Sequence, residues 1–146
     1  MAKSVNLEII TPSKLFYKGD VEIVICKTLS GEEGFMANHA WACKLLGVGE
    51  MWIQEIGSKD FKVAAISGGY VDVKDSIVIY TDAAEWSEDI DLERALSEKA
   101  KAEDWLVTHK DANDANDAND IILAKAAIDK AITRMSVAAG GSKKKR

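Results

Sequence analysis

IVIYTDAAEWSEDIDLERALSEKA, residues 77–100, begins with one periodicity and ends with another. Residues 77–81 form a short β-branched and aromatic run of the kind that makes a strand. Beyond Glu85 the apolar residues return at helical spacing: Leu92, Ala95, Leu96, Ala102 and Leu106 share one face, with Trp105 at its edge. Asp89 or Asp91 can cap this helix. Glu93 falls in its first turn, where a carboxylate meets the positive end of the helix dipole. The chain therefore reads as a β domain over residues 1–84, a helical hairpin over 85–138 and a basic tail over 139–146.

Upstream of the break, Val5, Leu7 and Ile9 alternate with outward-facing positions, as in a half-buried strand. Val21, Ile23 and Ile25 repeat the pattern. Residues 51–55 and 62–67 flank a turn at 57–60, and residues 70–73 and 77–81 flank another at 74–76. Strands at this regular spacing predict an antiparallel sandwich or barrel. Pro12, the single proline, falls between two strands, where its missing N–H breaks no ladder.

Downstream, Ile121, Ala124, Ile128, Ala131, Ile132 and Met135 recur close to the spacing of a coiled-coil seam. Asn119 or Asp120 is the expected cap, and Gly140 with Gly141 the stop. The seam is largely alanine. At about 25 cal/mol per Å² of apolar surface it docks more weakly than a leucine seam would. Between the helices lies DANDANDAND, residues 111–120, read as a polar connector. Asp at every third position drifts around a helix instead of lining one side. The repeat also lacks the glycine and terminal glutamate of a calcium loop, so a weak cation site is the lesser reading.

Apolar residues make up 47% of the 146, enough for a core and too many for a disordered chain. Cys26 and Cys43 have neither zinc-knuckle spacing nor the number a disulfide framework needs. No apolar run reaches the roughly 18 residues of a membrane span, and the N-terminus lacks the layout of a targeting segment. Charge is segregated: residues 85–120 carry 12 acids and 4 bases, residues 121–146 carry 7 bases and 1 acid. The acidic balance and the short KKKR tail argue against nucleic acid. Glu32, Glu33 and His39 have no partner at metal or acid–base spacing, and no glycine pair is followed by a phosphate-loop lysine.

Several stretches, in order, resemble the epsilon subunit of bacterial-type F-type ATP synthases: GEEGFMANHA (31–40), ISGGYVDV (66–73), IVIYTDAAE (77–85) and IDLERA (90–95). The resemblance covers most of residues 5–136. It implies a ten-stranded N-terminal antiparallel β-sandwich followed by a C-terminal two-helix hairpin. It further implies a non-catalytic rotor subunit that couples gamma to the c-ring and restrains ATP hydrolysis by extending its hairpin toward the alpha and beta subunits. Such a protein is peripheral to the membrane, on the cytoplasmic face of the cell membrane. No cofactor or metal is required; ATP-binding members of the family imply regulatory ATP at Ile90, Asp91, Arg94, Ala95 and Arg134, and the competing reading makes Asp91 a helix cap or first-turn acid and Arg94 a solvated charge. Glu32, Gly34 and His39 fall at positions of the rotor interface. Three positions depart from the family pattern: Glu33 where an apolar residue is usual, Asn38 for glycine and Trp41 for proline. Trp86, at the junction of the two parts, is expected to pack the hairpin down. The competing reading is a free-standing β-sandwich adaptor that binds a protein partner through its hairpin.

Overall fold

The computed structural model describes residues 3–109 and 115–141, with side chains of the second helix described from residue 118. Seven strands come first: β1 (Val5–Ile10), β2 (Leu15–Thr28), β3 (Gly31–Phe35), β4 (Ala42–Glu55), β5 (Lys62–Val73), β6 (Ile77–Tyr80) and β7 (Ala84–Trp86). A 3-10 turn at Ser87–Asp89 leads into α1 (Leu92–Thr108), and α2 (Ala115–Ala138) returns against it.

The ladder runs β1-β6-β5-β4-β2-β3, and β1 also pairs with β2. Five strands thus close on themselves into a flattened barrel, with β3 attached to β2 and β7 to β5. Closure leaves few free edges, which protects a small β domain from edge pairing. Both expected hairpins form, with Ile53 opposite Lys62 and Val73 opposite Ile77. Two details differ from expectation. The β1–β6 pair is parallel, because β1 enters the gap between β2 and β6. The described residues hold seven strands, not ten, because β2, β4 and β5 run for 12 to 14 residues and serve both layers.

Val5, Leu7 and Ile9 point into the core as the alternation predicts. In β2 the reading fails after Val21. The register against β4 shifts between Val21 and Ile23, and this bulge flips the parity. Val24 and Cys26 enter the core in place of Ile23 and Ile25. Ile25 is turned outward, where it joins Trp52, Val63, Ala65 and Val137 in a second apolar cluster. Gly69 fixes the bend of β5 over β6. Its φ is +112°, and a Cβ there would stand 1.8 Å from the Tyr80 carbonyl oxygen.

The second cluster is the seat of the hairpin. Residues 51–54 and 63–66 are buried on both strand faces. Met51, Ile53, Ala64 and Ile66 fill the main core. Trp52, Val63 and Ala65 face out, under Val137 of α2. Gly140 and Gly141 end α2 with positive φ, and their N–H groups return to the carbonyls of Val137 and Ser136. The stop is also a contact, since a Cβ on Gly141 would lie 2.8 Å from the Trp52 ring.

Several helical expectations need correction. Asp91, not Asp89, caps α1 by accepting from the Arg94 N–H at 3.1 Å. Leu92 and Leu96 are each 46% exposed, and Ala95 alone is fully buried on α1. The α2 stripe holds at Ala131, with Ile121, Ala124, Ile128 and Met135 half-buried, but not at Ile132, which is 47% exposed, and Val137 adds a fully buried contact. The α2 helix starts at Ala115, so residues 115–120 are helical instead of connector and neither Asn119 nor Asp120 is its cap. The rest of the connector, residues 111–114, and the tail from 142 on lie outside the described residues. The sandwich reaches past residue 84, because β7 carries Glu85 and Trp86. Trp86 does not hold the hairpin: its ring stacks on Phe16 at 4.6 Å and meets Tyr17 edge-on. Trp52 takes that role, seated under Val137 of α2.

Candidate functional site

Two surfaces bring together the residues singled out by sequence. The first is the end of the barrel around β3. Glu32 and Gly34 lie exposed on this edge strand, and His39 follows in the loop to β4. The His39 Nδ1–H donates to the Ala40 carbonyl at 2.7 Å, and the ring meets Phe35 edge-on. Asn38 has φ +64°, a left-handed conformation that asparagine tolerates, so it can stand where the family pattern has glycine. Glu33 is carried by Lys44, whose ammonium donates to it at 2.7 Å and holds its carboxyl below the usual range against some desolvation. Trp41 is 70% exposed beside this loop.

Sequence reasoning missed a larger feature of the same domain. Leu15 pairs with Ile10, Ile10 with Tyr80, Tyr80 with Tyr70, and Tyr70 with Leu45. These five residues form one row across five strands on the outer face, and four of them are exposed by 38% or more. The Leu29 N–H donates to the Leu45 carbonyl and extends the row by one more exposed leucine. Tyr70 and Tyr80 stack at 4.8 Å beside a cleft of about 310 Å³ walled by Ile10, Pro12 and Asp82. The next outward row carries charge on either side of Val78, where Glu8 pairs with Lys18 and Asp72 with Lys74 of the adjoining turn. An apolar row bounded by charge is the pattern of a protein-binding face. Each member reads as an isolated outward residue in sequence, so only the register reveals the row.

The second surface is the corner where β7, α1 and α2 meet. Here the five expected nucleotide residues divide by role. Ile90 packs into the cluster under the hairpin, and Ala95 is buried against α2. Asp91 spends its carboxylate on the α1 cap. Arg94 and Arg134 converge on one carboxylate: Arg94 Nε donates to Glu98 Oε1 at 2.9 Å, and Arg134 Nη1 to Glu98 Oε2 at 3.3 Å. Arg134 also reaches Glu85 on β7. Nearby, Glu50 accepts from Ser136 Oγ at 2.6 Å and from Trp52 Nε1 at 3.0 Å, a polar tie between α2 and β4.

Neither surface carries a catalytic constellation, and the described residues contain no group of His, Cys, Asp and Glu placed to hold a metal. Among the described residues no helix is long and apolar enough to cross a membrane. Fold and surfaces together define a binding protein: a rigid β domain with an apolar outer row and an appended helical hairpin.

Residues 4–87 match the family described as ATP synthase, Delta/Epsilon chain, beta-sandwich domain. The ATP synthase epsilon chain of Desulforamulus reducens is 38% identical over 139 residues, covering 94% of this chain and 99% of that one. The epsilon chain of Ruminococcus albus is 40% identical over 135 residues, covering 91% and 95%. A chain in the Euglena gracilis mitochondrial ATP synthase structure (OSCP/F1/c-ring) superposes with a TM-score of 0.73 at 21% identity, over 89% of this chain and 78% of that one, a likeness of fold. The chain belongs to the ATP synthase epsilon family.

Proposed function

We infer that this protein is the non-catalytic central-stalk subunit of an F-type ATP synthase, joining gamma to the c-ring, with its hairpin acting as a brake on ATP hydrolysis. Family membership over nearly the whole length supports the stalk assignment. The barrel supplies the fixed part. Its apolar row from Leu15 to Leu29 suits a stable subunit contact, and the Glu32–His39 end suits the ring.

The brake is carried by one observation: the hairpin has a seat of its own. The barrel core closes around Phe35, Leu7 and Ile66, while α2 rests on a separate small cluster. Losing the hairpin would uncover Trp52, Val63 and Ala65 and leave the core intact. The hairpin also presents apolar residues to solvent while docked, among them Leu96, Val107, Ile122, Leu123 and Ile132. These side chains suit a second partner, the alpha and beta subunits, once the helices swing out. A docked and an extended form then differ by few interactions. In the cell the complex places the chain on the cytoplasmic face of the cell membrane. Any regulatory ATP at the arginine corner would have to displace Glu98 from Arg94 and Arg134.

The test compares the assembled enzyme with full-length chain and with chain ended after Asp89, which keeps β7 paired. Assembly is expected to survive and ATP hydrolysis to rise. Failure of the shortened chain to join the complex, or unchanged hydrolysis, would refute this division of labour.

A further inference from the structure

Arg134 is the one cation of α2 that bridges to the β domain among the described residues. Its side chain is 16% exposed, too dry to stand without a counter-charge. Its Nε lies 2.7 Å from Glu85 Oε1, off the line of the N–H, so that contact is Coulombic. Nη2 donates to Glu85 Oε2 at 3.2 Å, giving two-point contact with one carboxylate. Nη1 takes Glu98 at 3.3 Å, and Glu98 in turn holds Arg94. The chain Arg94–Glu98–Arg134–Glu85 therefore runs from α1 through α2 to β7. Glu85 belongs to the strand paired with β5, so this network ties both helices to the rigid domain.

We propose that this internal carboxylate clamp, not a bound nucleotide, holds the hairpin on the barrel, the Glu85 and Glu98 side chains occupying the guanidinium that a phosphate would need. The proposal rests on the reading of the hairpin as a movable brake. Glu85 and Glu98 already balance Arg134 and Arg94, so a nucleotide gains only by expelling a carboxylate, and its phosphates bring in more negative charge than that carboxylate takes away. Glu98 is the weaker and more exposed partner, at 44% side-chain exposure, and is the one a competing anion would displace. Glu85, at 35%, is the anchor.

Hydrogen exchange of the isolated full-length chain tests this. Amides 131–138 of α2 are expected to exchange at the same rate with and without millimolar magnesium ATP. Arg134→Gln and Glu85→Gln are each expected to speed them about tenfold, since the first leaves Glu85 without its cation and the second leaves Arg134 only the weaker Glu98 contact. The double variant Glu85→Arg with Arg134→Glu restores that pair in reverse but turns a carboxylate toward Glu98, so it is expected to recover only part of the protection. Amides of β1, β5 and β6 serve as the folding control. Unchanged α2 exchange in both single variants, or slowing of the wild type by ATP, would overturn the clamp. Unaltered hydrolysis by the assembled enzyme with the hairpin removed would sink the brake instead, and would leave the exchange result standing.

Discussion

The barrel and the hairpin are held together by different physics, although they touch. In the barrel, Phe35, Leu7, Ile9, Met51, Ile53 and Ile66 are fully buried, and the strands close on themselves. Each long side chain is surrounded, and every ladder but the β3 and β7 edges has partners on both sides. Among the described residues of the hairpin, those fully buried are Ala95, Ala131 and Val137, small side chains that remove little surface from water. What the hairpin lacks in apolar area it replaces with directional contacts: Ser136 to Glu50, Arg134 to Glu85 and the two-glycine stop against Trp52. A large core resists partial opening. A small seat with a few polar ties opens as a unit. The difference separates a closed core from a lightly seated hairpin within one short chain.

The contrast can be broken or sharpened by substitution. Phe35→Ala should have the largest effect, about 3–5 kcal/mol, because it leaves a cavity in the closed core. Denaturant unfolding is expected to show a single large loss shared by barrel and hairpin. A loss confined to the hairpin would contradict the assignment of the core. Gly69→Ala should cost more than about 1 kcal/mol, since the backbone conformation and the Tyr80 carbonyl both oppose a side chain there. Its signature is weakened β5–β6 pairing, read from exchange of amides 70–80.

Val137→Ala tests the other region. Removing two methyl groups from the seat costs roughly 1.5 kcal/mol at about 0.8 per buried carbon. Exchange of α2 should accelerate while the barrel's own protection stays fixed. Equal acceleration in both regions would show that they open together and would remove the basis for a separable brake.

Smaller effects come from titrating groups. Glu55 accepts from Lys62 and from Tyr17, and these bonds outweigh partial desolvation and hold its carboxyl below the usual range. A carboxyl lowered on folding contributes stability above its unfolded value, near pH 4.3. That contribution is lost as the pH falls through the lower folded value. The side chain is 38% exposed, so the contribution stays below about 1 kcal/mol. Glu55→Gln should flatten the acid limb of barrel stability by that amount, and an unaltered limb would count against the pairing. Last, burial pushes the Cys26 thiol up to about 12, with Glu33 adding to the shift, whereas Cys43 is exposed. A thiol reagent should modify one cysteine at once under native conditions and the second only when the barrel unfolds.

Much of this was legible in the residues. The change of period after residue 85 divides strands from helices, because each backbone repeat imposes its own spacing on whatever must be buried. The hairpin turns at 57–60 and 74–76 are local, and they fold as read. The alanine-rich seam of α2 announces weak docking wherever it lands. The β3 loop carries its family pattern in plain order.

Other features depend on closure. The bulge in β2 exchanged Ile25 for Val24 in the core, and a one-residue slip cannot be seen in the spacing of valines and isoleucines. That slip added Ile25 to the margin of the hairpin's seat. The apolar row joins Leu15, Ile10, Tyr80, Tyr70 and Leu45 from five strands, so it exists only once register is fixed. Arg134 meets Glu85 across 49 residues of sequence. Sequence by itself determined which elements form and in what order, since periodicity and turn chemistry act over a few residues. Tertiary structure decided which faces coincide and which charges meet, since those depend on how the ladder closes.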